Sequence, residues 1–483
     1  MFLRVTITFW GVVFAGTLIV WGLREERLER EYPTPHELPW LMRKGLRDAH
    51  KFMDPKHGSV RWSLAFQHSR LNIMKLEEWY SAEKERNPKG VVKLEPGSDY
   101  PEGPYCALNP HNVSAMSEEW RHGYFETMML AAKAAEHVDG WVVDPADNCA
   151  CPPQYVVGPS NPRPLPMPPG AGKAPREEDC KVAFPPADRF YWKILNTEGL
   201  TQRQRTEAAI EFASFMDFKK EHDAAEMLYS TALLEASQGI DQANLPYDTK
   251  RLTIKDGCKP SSNVLDALTA IANYKARSGK LQEALPVYLS LLKVRRGLSN
   301  DRPPLPKPNR QRQPVYQQML NFLSPPDYPT PPTDGTEIPW RSPNELCQEA
   351  SLSLYIGEIL YASSSREDGV AWTRDGVDLA EEQLRRLEET KTNRATAQLG
   401  KECLKTGLDN WATMVARLAE KERERVETGQ DKPGVVSFWS SPRPAESRWA
   451  AEEEVITERI RRTRELLDTA EAPTADFWAL FKA

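Results

Sequence analysis

The sequence predicts an all-α chain: one N-terminal apolar helix long enough for a transmembrane span, then an α-solenoid of degenerate helix hairpins broken by Pro-rich insertions. Three observations carry this. Val5 to Leu23 (VTITFWGVVFAGTLIVWGL) holds no charged residue and is about long enough to cross roughly 30 Å of hydrocarbon as a helix. Small residues recur at offsets of twelve and then seven positions in three later segments. Pro-rich stretches separate the helical patterns.

The small residues are the most specific signal. In a repeat of about 34 residues folded as two antiparallel helices, the eighth, twentieth and twenty-seventh positions are where the backbones approach most closely, so Gly, Ala or Ser fits there. Gly357, Gly369 and Gly376 occupy that grid in YIGEILYASSSREDGVAWTRDGVDLAE. Ala213, Ala225 and Ala232 occupy it upstream, with Tyr229 four residues beyond the second small position. Ala272, Ala284 and Leu291 form a third set, in which Gly279 breaks the hairpin and Tyr288 repeats the aromatic slot. Three sets in register argue for tetratricopeptide-type (TPR-like) units. The Trp usual at the fourth position and the Pro usual at the thirty-second are missing, so the units are degenerate. A weaker match at Gly58, Trp62 and Ala65 starts the array near the N-terminus.

Taken in order, residues 1–31 read as an anchor and a charged neck that stops before Pro33. Arg4 and Arg24 bracket the apolar run, and Trp10 and Trp21 suit its interfaces. The run ends in Trp-Gly-Leu-Arg, not in a small-residue cleavage site, so an uncleaved anchor is expected. Residues 32–139 read as N-terminal hairpins, with Ser117 opening a helix to His137. A Pro-rich insertion at 140–186 follows, whose centre is extended or disordered. Repeats occupy 187–300, a Pro-rich loop 301–343, and a repeat with capping helices 344–426, where Leu404, Leu408, Trp411, Val415 and Leu418 make one apolar face. Residues 427–483 are a linker, a charged helix and an aromatic tail, DFWALFKA, expected to fold back on the solenoid. One elongated helical body is the expectation.

Mean hydropathy of -0.59 and 27% charged residues describe a water-soluble body. A net charge of -6 without any Lys/Arg block argues against nucleic acid. The seven cysteines are scattered and make no disulfide framework. Cys149 and Cys151 form a C-x-C with Cys180 downstream, but the paired C-x-x-C of a zinc ribbon is missing. No metalloprotease helix, nucleophile elbow, phosphate loop or dinucleotide fingerprint is present. The chain is therefore expected to be no enzyme and to need no cofactor or metal. The default function of such an array is to bind segments of other proteins in the groove lined by the first helix of each hairpin. Here the groove candidates are Ile210, Ser214, Phe218, Thr269, Asn273, Leu354, Glu358 and Tyr361. The positions that hold a C-terminal carboxylate in chaperone-type relatives read Ile210, Ser214, Ala270, Ser351 and Tyr355. Cations are missing from them, so an apolar or unfolded segment suits the groove better than an acidic tail.

The single span, the polar repeat body, the segment from Tyr355 to Glu381 and the later KECLKTGLDNWATM together resemble the fungal adaptor subunit of the mitochondrial inner-membrane i-AAA protease supercomplex. The resemblance covers about residues 40 to 425 and leaves out the Pro-rich insertions. It implies a protein of the inner membrane with its body in the intermembrane space. There it works with a partner adaptor to pass unfolded proteins to the ATP-driven protease. It implies no catalytic residue. An Arg/Ser-rich presequence, usual for a mitochondrial address, does not precede the anchor. The alternative is an assembly or scaffold factor of a respiratory-chain complex using the same groove for a folded client.

Overall fold

A computed structural model describes residues 2–82, 90–94, 109–146, 149–168, 172–301, 328–390, 394–427 and 448–468. The chain is mostly helical, and it divides into two compact units. The first comprises Met1–Gln238 with Lys307–Thr336, the second Gly239–Pro306 with Glu337–Ala483. The repeat block expected at 187–300 is thus shared between them.

In the first unit, α1 (Phe2–Glu31), α2 (Trp40–Met53), α3 (Trp62–Trp79), α4 (Glu118–His137), α5 (Ala187–Leu195), α6 (Gln202–Phe218) and α7 (His222–Ala236) pack each against the next. The pattern of α2 explains its place: Met42, Leu46 and Ala49 recur at three- and four-residue spacing and are buried. Its crossing with α3 is close, since a Cβ on Gly45 would fall 2.5 Å from Asn72 Oδ1. The Asn72 amide donates to the Met42 carbonyl across that crossing, at 2.8 Å. The α4 helix begins as expected, with the Ser117 hydroxyl accepting from the Trp120 N–H at 3.1 Å. Its Ala131, Ala132, Ala134 and Ala135 are fully buried, so neighbours approach it from several sides.

Among the described residues no helix is long and apolar enough to cross a membrane. The expected span lies within α1, but the side chains of Val5, Ile7 and Thr8 fall outside the described residues, and those from Phe9 to Leu23 are exposed. The neck beyond them is docked. Glu29 accepts from Arg43 at 2.8 Å and pairs with Arg47, while Glu25 takes Arg47 at 3.0 Å. The Glu29 carboxyl also accepts from the Thr34 hydroxyl at 2.7 Å and is held below its ordinary pKa by these partners, against the opposing effect of burial. Tyr32 stacks on His50 at 5.3 Å and donates to Asp54 at 2.5 Å.

The flanks of the first Pro-rich insertion are sheet, which a helical reading missed. Strands β3 (Val142–Asp144), β4 (Cys149–Cys151) and β5 (Lys181–Val182) pair antiparallel in the order β4-β3-β5, with Val142 opposite Cys151 and Val182. A two-stranded ladder joins β1 (Val92–Lys93) and β2 (His111–Asn112).

The second unit stacks α8 (Ser262–Arg277), α9 (Leu281–Arg296), α10 (Pro343–Ser363), α11 (Arg366–Thr390), α12 (Arg394–Glu427) and α13 (Arg448–Asp468) in the same serial way. Its core gathers Leu354, Val377, Leu384, Leu404, Leu408, Trp411 and Val415, with Ile456 from α13. Arg374 and Arg459 lie over the Trp411 ring, each 5.6 Å from its centre. Arg459 also pairs with Asp378 at 2.5 Å and Glu381 at 2.8 Å, which fastens the charged helix α13 to α11. The aromatic tail DFWALFKA and the apolar patch VYQQMLNFL lie outside the described residues.

Candidate protein-binding surface

Each grid set falls on a pair of consecutive helices joined by two or three residues, too short for anything but antiparallel neighbours. In α6/α7, Ala213, Ala225 and Ala232 are buried, as are Ala272, Ala284 and Leu291 in α8/α9. The pair α10/α11 is closest. A Cβ on Gly357 would lie 2.5 Å from Thr373 Oγ1 and 2.9 Å from the Gly369 carbonyl oxygen. One on Gly369 would lie 2.6 Å from the Tyr361 backbone nitrogen, and one on Gly376 2.9 Å from Leu354 Cδ2.

The turns of the first two pairs are alike. Gly279 has φ 76° and its N–H bonds to the Ala276 carbonyl, while the Lys280 N–H reaches back to Lys275. The α6/α7 turn repeats this double bond with Lys220 in the same left-handed conformation, φ 65°, and Glu221 bonding to Met216. Both are Schellman closures, in which glycine is the unstrained choice.

The predicted groove residues do not share one environment. Ile210, Ser214 and Phe218 sit four residues apart along α6, in the first unit. Ile210 and Ser214 are half-buried and Phe218 is 82% exposed. Ion pairs flank this stripe, Lys133 to Glu211 at 3.0 Å and Lys219 to Asp139 at 3.1 Å. Met227 and Leu234 are exposed on α7, seven residues apart. The other five belong to the second unit. Thr269 and Asn273 are half-buried on α8, and Asn273 accepts from the Tyr288 hydroxyl at 2.7 Å. Leu354 and Tyr361 need correction as groove residues, because α12 packs on them, whereas Glu358 stays exposed. Leu354 is 3% exposed within the core, and a Cβ on Gly407 would fall 3.1 Å from its Cδ2. Asn410 donates to Glu358, and the Tyr361 hydroxyl donates to the Met414 carbonyl at 3.1 Å. The chain's own helix thus covers Leu354 and part of Tyr361 and leaves Glu358 exposed.

Several polar groups escaped a sequence reading. Lys193, fully buried on α5, pairs with Glu77 at 2.5 Å, and Tyr124 donates to the same carboxyl at 2.7 Å. Burial pushes the lysine down and the glutamate up, and their mutual attraction opposes both shifts. Burial, with Lys193 nearby, lowers the His111 pKa to about 3, keeping the ring neutral. Glu136 on α4 accepts from Tyr191 at 2.5 Å, and burial raises its pKa to about 7, with Glu211 adding to the shift and Tyr191 and Lys133 opposing it. These groups tie α3, α4 and α5 together. The signal in the sequence was one lysine among Phe190, Tyr191 and Ile194, on an otherwise apolar helix face.

A shallow pocket lies between Arg121, His122 and Phe125 of α4 and Arg203, Gln204 and Glu207 of α6, closed by Pro331 and Pro332. Asp334 accepts from the Gln202 N–H at 2.7 Å, and the Tyr328 ring lies 6.2 Å from His122. The end of the second Pro-rich loop is therefore packed onto α4 and α6 and does not present a free proline ligand there.

Compared with known proteins, the chain matches no family model, no curated protein and no solved structure.

Proposed function

We propose that the chain is a membrane-anchored, protein-binding adaptor built on tetratricopeptide-type hairpins, without chemistry of its own. In this reading, α1 inserts as a single span in the mitochondrial inner membrane with the body in the intermembrane space. The chain works beside an i-AAA protease and a partner adaptor, to which it brings unfolded clients. The observation that carries the binding function is the α6 stripe. A phenylalanine 82% exposed at the end of a well-packed hairpin has no packing role and supplies an aromatic anchor for an apolar segment. The grid residues support the repeat reading, since the alanines and Leu291 of the first two pairs are buried and the three glycines of the third face the neighbouring helix at close range.

The test is a purification of the tagged full chain in mild detergent. A hexameric AAA protease should copurify, and removing residues 190–391 should slow degradation of membrane clients while leaving ATP hydrolysis by the protease intact. If the chain binds only a folded respiratory subunit and never copurifies with such a protease, the scaffold reading replaces this one.

A further inference from the structure

We propose that the first turn of α2 is an interfacial docking element, with Trp40 and Leu41 seated in the headgroup layer of the bilayer that holds α1. The inference rests on the anchor reading above and goes beyond it, because a span alone leaves the body free in water.

Two exposed apolar side chains begin the argument. The buried stripe of α2 and its lead-in is Leu38, Met42, Leu46 and Ala49, whereas Trp40 and Leu41 lie off it, 50% and 54% exposed. They have no part in the core. Their position is set by α1: the Trp40 ring meets Trp21 edge-on, with centroids 5.5 Å apart and an interplanar angle of 63°. Trp21 is in the last turn of the apolar run, so a bilayer whose hydrocarbon ends there has its headgroups at the level of Trp40. Tryptophan, with an apolar ring and one N–H donor, is the residue that favours that layer.

Charge points the same way. Arg24 is exposed one turn below Trp21, and Lys44 follows Trp40 by one turn. The Lys51 ammonium is pushed below its ordinary value by partial burial and then by Arg24, with Lys44 adding to the effect and Asp48 and Glu25 opposing it. Arg24 and Lys44 are each thus close enough to repel Lys51, although Lys44 is partly neutralised by Asp48 at 2.5 Å and Glu25 at 3.7 Å. Headgroup phosphates relieve such repulsion. The arrangement is also fixed, since Glu25 and Glu29 hold α2 to α1 through Arg43 and Arg47. The bilayer, continuous with the apolar run and opposite in charge to these cations, is the occupant this face fits.

The experiment places a photoreactive benzoylphenylalanine at single sites of the full chain in vesicles of phosphatidylcholine and phosphatidylglycerol. Phe14, Leu41 and Phe218 are all exposed, so the bulky probe requires no repacking at any of them. The expected result is lipid adducts at positions 14 and 41, in yields within about threefold of each other, and none at 218. Lipid adducts at 14 without any at 41 would overturn the docking while leaving the anchor intact. A protein adduct at 41, to a second copy of the chain, would overturn it in favour of self-association. Failure at both 14 and 41 removes the anchor and the docking together.

Discussion

The first and third helix pairs carry small residues at the same two spacings, yet their remaining faces end in different states. Along α6, Ile210 and Ser214 are half-buried and Phe218 is exposed, whereas along α10 Leu354 is buried and Tyr361 half-buried against α12, with Glu358 exposed but bonded to it. Spacing determines where two backbones touch, because a missing Cβ is needed there. It does not determine what covers the remaining face. In the third pair that is decided by Gly407, Asn410 and Met414, about fifty residues further along the chain. The pairs differ in closeness too, with glycines where α10 and α11 cross and alanines where α6 and α7 do.

The contrast can be broken at its strongest point with Leu354→Ala. A residue in an open groove would tolerate this, but a core leucine with glycines on two sides should cost about 2–5 kcal/mol in urea unfolding of the full chain. Next, Gly369→Ala should destabilise by about 1–3 kcal/mol, since its methyl meets backbone atoms that cannot rotate away. The reciprocal change Ala225→Gly in the first pair should cost only about 1 kcal/mol, the helix-propensity difference. If the two substitutions proved equal, the difference in closeness would be wrong.

Beside the open pair, Glu136 gives a smaller and pH-dependent effect. Its folded-state pKa of about 7 lies above the ordinary carboxyl value of 4.5, so the folded state favours the protonated acid. That contribution to stability is full below about pH 4.5 and is lost as pH rises through about 7. Glu136→Gln keeps an acceptor for Tyr191. It should therefore match the parent near pH 4 and exceed it by about 1–2 kcal/mol at pH 8, a value discounted because water still reaches the carboxyl. An equal gain at both pH values would show that the carboxyl is not the titrating group. The smallest stability change belongs to Phe218→Ala, which should shift unfolding by less than about 0.5 kcal/mol. The same variant should weaken capture of an unfolded polypeptide about fivefold, as expected for an aromatic anchor.

Much of the helical order was legible because its signals are local. Gly357, Gly369 and Gly376 mark close crossings, Gly279 marks a left-handed turn, and Ser117 marks a helix start. Lys220 was not legible. It adopts the same turn as Gly279 with a side chain that disfavours it, so nothing in Lys-Lys-Glu announces the conformation. Of the groove residues read from repeat position, Phe218 is exposed but Leu354 is in the core, since coverage by a later helix is a tertiary fact. The short strands around Val142 and Lys181 were hidden by the prolines between them. The docking of the neck needed pairings between Glu25 or Glu29 and Arg43 or Arg47, and a list of alternating charges does not choose among those.

The chain passes between its two units three times, after Gln238, after Pro306 and after Thr336. Each unit is consequently assembled from two separate stretches of sequence. A single proteolytic nick at any one of these passages leaves at least one unit composed of complementary fragments, held by its own packing. Such a nick would produce two bands on a denaturing gel and one species on a native gel. For a protein proposed to work within reach of a protease, this threading means that losing one peptide bond does not by itself release half of the molecule.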